Sequence, residues 1–273
     1  MWINPRPTLS RLGGKAYQLH RLKRWCNVPP YFVIAFENPD EILDPKNQSR
    51  IAERCREQKL EVMAVRSSAS CEDSARASFA GMFRTVLGVR SSEVVGAIAE
   101  VLSSASSKRV ADYCSAHGFD ENAIGMAVIV QKMVNSRVSG VCFTRSELGG
   151  NSLLVEACYG LGEALVSGAV TPDTYVVDRE RLSVVKESAG YQRTALRMFH
   201  DSPSPAYAEV PFHKRNAKKL TCIEIRAIAE ACLLAERRLG FHAADVEWAF
   251  EGDTLYLLQA RPYTALPSSP GEG

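Results

Sequence analysis

The chain has 273 residues, 46% of them hydrophobic, which is enough apolar material for one large domain or two lobes. With 33 basic and 31 acidic side chains the formal charge is +2, so neither a nucleic-acid surface nor an acidic tail is indicated. No stretch reaches membrane-spanning length, and the 8 scattered cysteines, with no C-x-x-C, read as reduced thiols of a cytoplasmic protein rather than a disulfide framework or zinc site.

The opening MWINPRPTLS lacks the apolar run of a signal peptide. Residues 12–26 read as a glycine turn opening a helix, with Ala16, Leu19, Leu22 and Trp25 on one face, stopped by Val28-Pro29-Pro30. Tyr31 to Phe36 is a short apolar strand, and Arg50 to Lys59 a helix. Val62 to Arg66 is a strand running into Ser67, Ser68 and Ser70, and Phe83 to Val89 is another. Residues 92–117 are one long or two short helices, broken around SSASSK. From Gly125 the pattern changes to strands, GMAVIVQKMV, VSGVCFTR, SLLVEACYG and DTYVVDR, separated by glycine or polar turns. Residues 180–215 read as exposed strands and loops. Thr221 and Glu224 have capping-box spacing and open a helix ending near Gly240. A hairpin follows, and LPSSPGEG is a frayed tail. There is no internal repeat. The division expected is a mixed lobe over 1–124, a sheet-rich lobe over 125–264 and a tail over 265–273.

The hairpin DVEWAFEGDTLYLLQARP, Asp245 to Pro262, carries two acids, an amide and a guanidinium among apolar residues. Side chains alternate faces along a strand, so Asp245, Glu247 and Ala249 share one face and Val246, Trp248 and Phe250 the other. On the return strand Leu255, Leu257, Gln259 and Arg261 share a face. A two-residue turn pairs Glu247 with Leu258 and scatters the polar set. A three-residue loop, Gly252-Asp253-Thr254, pairs Glu247 with Gln259 and Asp245 with Arg261 and gathers all four on one face. A one-residue slip destroys that arrangement. Two readings stay open. One is a structural salt bridge beside a solvated edge glutamate. The other is a hard-oxygen site of the kind Mg²⁺ uses with phosphates, next to an arginine able to hold a phosphate bidentately.

Other stretches add to the second reading. LGGKAYQLHRL puts Lys15 just after two glycines at a helix start, where backbone can approach closely and an anion is favoured, although the P-loop spacing is absent. An ordinary solvated lysine is the plainer account. AVRSSASCEDSARASFAGMF ends an apolar strand with Arg66 and continues with serines, a small-residue loop able to fold over polyphosphate with N–H and hydroxyl donors. A flexible linker is the alternative, against which stand Phe79 and Met82. VIVQKMV interrupts a buried strand with Gln131 and Lys132, either an edge strand or a hinge offering backbone groups to an adenine edge. VEACYGLGEALVSG places Glu156 at a strand end, ahead of glycines that on their own mark a turn.

Taken together, GGKAYQL, VPPYFVI, AVRSSAS, EDS, ASFAGMF, QKMV, SGVCFT, YGLGEALVSGAVTPDTYVV and DVEW with LLQARP resemble the nucleotide-binding domain of the phosphoenolpyruvate synthase, pyruvate phosphate dikinase and rifampin phosphotransferase family. They fall in the family's order from about residue 12 to residue 264. The resemblance implies an α+β, ATP-grasp-like fold of two lobes with the nucleotide cleft between them, and ATP and Mg²⁺ as cofactors. By the same resemblance Lys15 and Arg66 hold phosphates, and Gln131, Lys132, Met133 and Val134 line the adenine pocket. Glu247 and Gln259 bind the metal, Arg261 contacts the phosphate chain, and Asp245 supports the set. Lys15, Arg66 and Arg261 are then the catalytic cations. Thr85 and Glu156 match further nucleotide-site positions. The swivelling phosphohistidine domain and the acceptor-substrate domain of the family have no counterpart here, and none of the 5 histidines lies in a T-S-G-G-x-x-S-H-A type loop. Met82 stands where many relatives have glutamine, and the segment between VPPYFVI and AVRSS is short.

The family reaction cleaves ATP to AMP, with one phosphoryl group passing to a carrier histidine. Three functions compete on the sequence. The first is an ATP-dependent phosphotransferase working with a phosphohistidine carrier domain or protein. The second is a kinase phosphorylating an unknown small-molecule acceptor directly. The third is a nucleotide-binding regulator without turnover. No nucleic acid or membrane partner is expected.

Overall fold

The structure, a computed structural model, describes residues 1–3, 8–69, 82–117, 125–146, 151–199, 202 and 204–263. Most of the serine-rich stretch after Arg66, and the tail, lie outside the described residues. In chain order the elements are β1 (Trp2–Ile3), α1 (Leu9–Leu22), β2 (Tyr31–Ala35), a 3₁₀ turn (Pro39–Leu43), α2 (Pro45–Glu57), β3 (Val62–Ala69), β4 (Thr85–Arg90), α3 (Val94–Ser103) and α4 (Lys108–His117). There follow β5 (Met126–Lys132), β6 (Val138–Phe143), β7 (Ser152–Tyr159), α5 (Glu163–Val166), β8 (Asp173–Asp178), β9 (Val184–Ser188), β10 (Thr194–Arg197), β11 (Ala206–Glu209), α6 (Cys222–Leu239), β12 (Ala244–Glu251) and β13 (Thr254–Pro262). The fold is α+β. Its strands form a five-stranded sheet, β1-β2-β5-β3-β4, a six-stranded sheet, β13-β12-β6-β7-β8-β9, and the pair β10–β11.

The chain divides into two compact units. The first comprises Met1–Arg21, Pro29–Val134 and Met198–Ala206, the second Leu22–Val28, Asn135–Arg197 and Tyr207–Gly273. The strand-rich pattern begins at Gly125, yet β5 completes the first sheet, between β2 and β3.

In the first unit one sheet face is apolar. Phe32, Ile34, Met63, Val65, Val128 and Val130 pack with Ile51 and Cys55 of α2 and Ile98, Val101 and Leu102 of α3. Helix α1 meets the other face. Gly13 interrupts it with φ +70, and a Cβ there would stand 2.2 Å from the carbonyl oxygen of Ser68, so only glycine admits this approach. Just beyond, the Ala16 amide donates to Ser68 Oγ at 2.9 Å. Leu12, Ala16, Leu19 and Leu22 are buried as the spacing requires. Trp25 is not. The helix ends at Leu22, whose carbonyl takes the amides of Trp25 and Cys26, and the indole is half exposed beneath the Arg238 guanidinium at 3.9 Å.

In the second unit α6 opens on the expected capping box, Thr221 with Glu224, and closes on Gly240 in the left-handed conformation. Its buried stripe runs through Ile225, Ile228, Ala229, Cys232, Ala235 and Leu239. Ion pairs Arg137–Glu224 and Arg179–Glu236 fasten the helix to the ends of β6 and β8. Trp248 is wholly buried on the apolar face of β12, over Gly140, where a Cβ would come within 2.7 Å of its ring. Asp173 and Lys219 form an ion pair of 2.5 Å with both side chains fully buried, and Asp173 also accepts from Tyr175 Oη and the amides of Gly190 and Lys219. The segment Leu22–Val28 caps the edge strand β13: Leu257 N donates to Asn27 O at 2.9 Å, and Asn27 Nδ2 to Leu255 O at 3.0 Å. Among the described residues no helix is long and apolar enough to cross a membrane, and the 7 described cysteines are free thiols.

Candidate functional site

The expected hairpin register is present, but a different device produces it. Glu251 pairs with Thr254 across a two-residue turn of Gly252 and Asp253, with Gly252 at φ +58. That turn alone would set Glu247 against Leu258. A β-bulge between Glu247 and Trp248 takes up one residue on β13, so Trp248 opposes Leu257 while Glu247 opposes Gln259 and Asp245 opposes Arg261. The three-residue loop is therefore corrected to a tight turn plus a bulge at Leu258. The polar set ends up on one face either way.

Adjacent strands extend that face. Glu247 lies opposite Val141 of β6, and Val141 opposite Glu156 of β7, so Gln259, Glu247, Val141 and Glu156 form one row across four strands. With strands spaced about 4.8 Å apart, Glu156 stands roughly 10 Å from Glu247. The next row holds Arg261, Asp245 and Phe143. Arg261 grips a single oxygen of Asp245, Oδ2, through Nε at 2.8 Å and Nη2 at 2.7 Å. Asp245 and Gln259 are buried, Glu247, Glu156 and Arg261 partly so. Burial pushes the Asp245 carboxyl up from its ordinary value; Arg261 pulls it back and the Glu247 charge adds to the rise. Glu156 is raised too, by burial first and by Asp245 second. Burial is the larger cause of both shifts.

The first unit carries the remaining expected residues. Arg66 does not project from a strand tip. β3 continues to Ala69, so Arg66 sits mid-strand and partly buried, with Thr85 directly opposite on β4 and Ile129 on β5. Gln131, opposite Ala64 and Tyr31, shares that face one step along. It is 3% exposed and its Nε2 has no hydrogen-bond partner, a buried donor that costs about 1–3 kcal/mol unless something accepts from it. Ser68, also on this face, takes the amide of Ala16, which brings the helical turn carrying Lys15 beside the strand of Arg66. Arg66, Thr85 and Gln131 therefore share one sheet face, and the helical turn that carries Lys15 packs beside it. Lys132 points to the opposite face, opposite Met63. The amides of Lys132 and Met133 are already donated to Pro30 O and Val62 O, and Val134 is buried.

Other expectations changed with the structure. Ser67 and Ser68 belong to β3 and are wholly buried, so any loop over phosphate starts later, among residues outside those described. The strand placed at Phe83–Val89 runs from Thr85 to Arg90, and α2 starts at Pro45 instead of Arg50. The glycines after Tyr159 make a structural turn: Gly160 has φ +84 against the Leu196 carbonyl, and Gly162 starts α5. The chain signal for Thr85 as the partner of Arg66 was the strand pairing, which spacing alone does not reveal.

The oxygen donors suit a hard divalent ion. Glu247 and Gln259 offer a carboxylate and an amide side by side, about the protein contribution Mg²⁺ takes when phosphates and water fill its other positions. Among the described residues no group of three or more His, Cys, Asp or Glu side chains could hold a metal.

Residues 47–272 match the family described as "Pyruvate phosphate dikinase, AMP/ATP-binding domain". A probable phosphoenolpyruvate synthase of Methanocaldococcus jannaschii is 37% identical over 227 residues, covering 82% of this chain and 19% of that protein. One of Archaeoglobus fulgidus is 40% identical over 215 residues, covering 78% and 28%. The prodigiosin synthesizing transferase PigC of Serratia marcescens is 30% identical, covering 93% and 32%. The chain thus spans between 19% and 32% of these relatives' length. Among solved structures, D-alanyl-alanine synthetase A of Vibrio cholerae aligns at TM-score 0.40 and 11% identity, covering 89% of this chain and 51% of that one. The ATP-grasp ligase PsnB aligns at TM-score 0.36 and 11% identity, covering 94% and 53%. At those scores neither assigns a ligand or a reaction.

Proposed function

Since the chain belongs to the pyruvate phosphate dikinase AMP/ATP-binding domain family, we propose that it is an ATP-dependent, ATP-grasp-like phosphotransferase that takes Mg-ATP and passes a phosphoryl group to a carrier histidine on another domain or protein, releasing AMP. The observation that carries this reading is the hairpin register, which sets Asp245 against Arg261 and Glu247 against Gln259 on one sheet face.

Phosphoryl transfer demands little covalent chemistry from a protein. It demands that negative charge on the phosphate oxygens be held and neutralised. Lys15 and Arg66 are the phosphate-holding cations of the first unit, and Arg261 that of the second. Asp245 fixes the Arg261 guanidinium through one oxygen, which orients the outer N–H groups for phosphate. Glu247 and Gln259 would hold Mg²⁺, which when bound supplies charge neutralisation at the phosphates. Gln131 donates its unsatisfied Nε2 to a nucleotide acceptor, which supports adenine recognition at this strand. The amides of Lys132 and Met133 are already donated to Pro30 O and Val62 O, so these residues would meet a nucleotide through their other atoms.

The test is incubation with Mg-ATP and a candidate histidine carrier, followed by nucleotide separation. AMP with a phosphorylated carrier is the expected result. ADP with a phosphorylated small molecule would replace the reading with a direct kinase, and tight binding without turnover would replace it with a regulator.

A further inference from the structure

Where β6 ends against β12, the ladder is finished by a side chain. The last regular pair is Phe143 with Asp245. One residue on, Thr144 N donates to Ala244 O at 2.9 Å, and Ala244 N donates back to the Thr144 hydroxyl oxygen, Oγ1, at 2.7 Å. The hydroxyl stands in for the carbonyl that a continuing ladder would present. Thr144 is wholly buried. Its own carbonyl accepts from Arg179 Nη1, and Arg179 is held in turn by Glu236 of α6, with Nη2 to Oε1 at 2.7 Å and Nη1 to Oε2 at 3.3 Å. On the other side of Ala244 the chain is fixed again, as Tyr263 N donates to Ala243 O at 2.9 Å. The residue after Ala244 is Asp245, whose Oδ2 holds Arg261.

We propose that Thr144 is a positioning residue: its hydroxyl, braced by Arg179 and Glu236, sets the start of β12 and so aims Asp245 and, through it, Arg261 at the phosphate chain. The proposal rests on the reading of Arg261 as a phosphate-holding cation. The argument is geometric. A strand end without a ladder bond frays, and fraying here would swing the carboxylate that Arg261 grips. The salt bridge alone does not fix the azimuth of β12, because Arg261 is partly exposed and both of its bonds to Asp245 end on the same oxygen. The amide–hydroxyl bond fixes it one residue from that carboxylate. Substituting valine keeps the volume, removes the acceptor and leaves the Ala244 amide buried without a partner; serine restores the acceptor.

The experiment compares the full chain with Thr144→Val and Thr144→Ser. It measures Mg-ATP affinity by calorimetry, amide exchange at Ala244 and thermal unfolding. Thr144→Val is expected to speed exchange at Ala244 and weaken Mg-ATP binding about tenfold, the scale at which supporting hydrogen bonds act on a ligand set. Thr144→Ser is expected to keep both near the parent values. Unchanged affinity in Thr144→Val with faster exchange at Ala244 overturns the positioning role, and unchanged exchange overturns the clamp itself. Absence of Mg-ATP binding by the parent chain overturns the nucleotide reading, and the positioning role with it. If Thr144→Val does not fold, Glu236→Gln, which loosens Arg179 from the other end, is expected to weaken Mg-ATP binding in the same direction, and unchanged affinity there overturns the proposal.

Discussion

At the scale of single residues, the charged side chains assigned to phosphate and metal make the first predictions. Replacing Glu247 or Arg66 by alanine removes a partly exposed side chain from a rigid strand, so nucleotide turnover is expected to fall to background while circular dichroism stays unchanged. Retained turnover in either variant contradicts the assignment of that side chain. Glu156 behaves differently because burial and Asp245 raise its pKa in the folded state. A raised carboxyl lends its stability below the unfolded pKa, and that contribution is lost as pH rises through the folded value. Glu156→Gln is therefore expected to melt higher than the parent at neutral pH, with the difference vanishing below the ordinary carboxylate range. Gly140 is constrained on both sides, since a Cβ would lie 1.8 Å from the Glu156 carbonyl oxygen and 2.7 Å from Trp248. Gly140→Ala is expected to cost about 1–3 kcal/mol or more in urea unfolding, as overpacked cores do.

At the scale of elements, periodicity and capping were readable. The capping box at Thr221 and Glu224 and the buried stripe of α6 follow from spacing, whereas the glycines before Lys15 do not open their helix, which begins at Leu9 and is interrupted at Gly13. Trp25 misled because a helical stripe says nothing of where the helix stops; two amides folding back on Leu22 decide that. The hairpin shows a subtler limit. Its polar pairs were legible because only one register gathers four polar groups on one face, yet the turn was assigned one residue too long. A bulge leaves no mark in the composition, for Leu258 looks like any other strand residue. The same reasoning supplies a test. Deleting Leu258 removes the extra residue, and the regular ladder then still sets Glu247 against Gln259 and Asp245 against Arg261. That variant is expected to fold and to keep Mg-ATP affinity within a few-fold of the parent, measured by calorimetry; deleting Ala260 instead splits Asp245 from Arg261 and is expected to weaken it by about tenfold or more.

At the scale of the whole molecule, the hydrophobic and polar patterns announced two units but not their boundaries. β5 has the composition of the second unit and the pairing of the first, a matter of long-range partners rather than of local propensity. The buried Asp173–Lys219 pair is likewise invisible in sequence, since its members are 46 residues apart. Lys219→Ala leaves Asp173 charged and sealed from water, and is expected to cost about 3–5 kcal/mol in chemical denaturation. Replacing both residues with apolar ones of similar size is expected to cost much less.

The seven residues from Leu22 to Val28 have a consequence for synthesis. Asn27 is synthesised well before its partner, for the main chain it must hold, at Leu255, lies 228 residues downstream. At translation speeds of about 5–20 residues per second, Asn27 waits on the order of ten seconds or longer for its acceptor. The second unit therefore cannot close this edge until β13 has been synthesised, however early the segment that seals it was made.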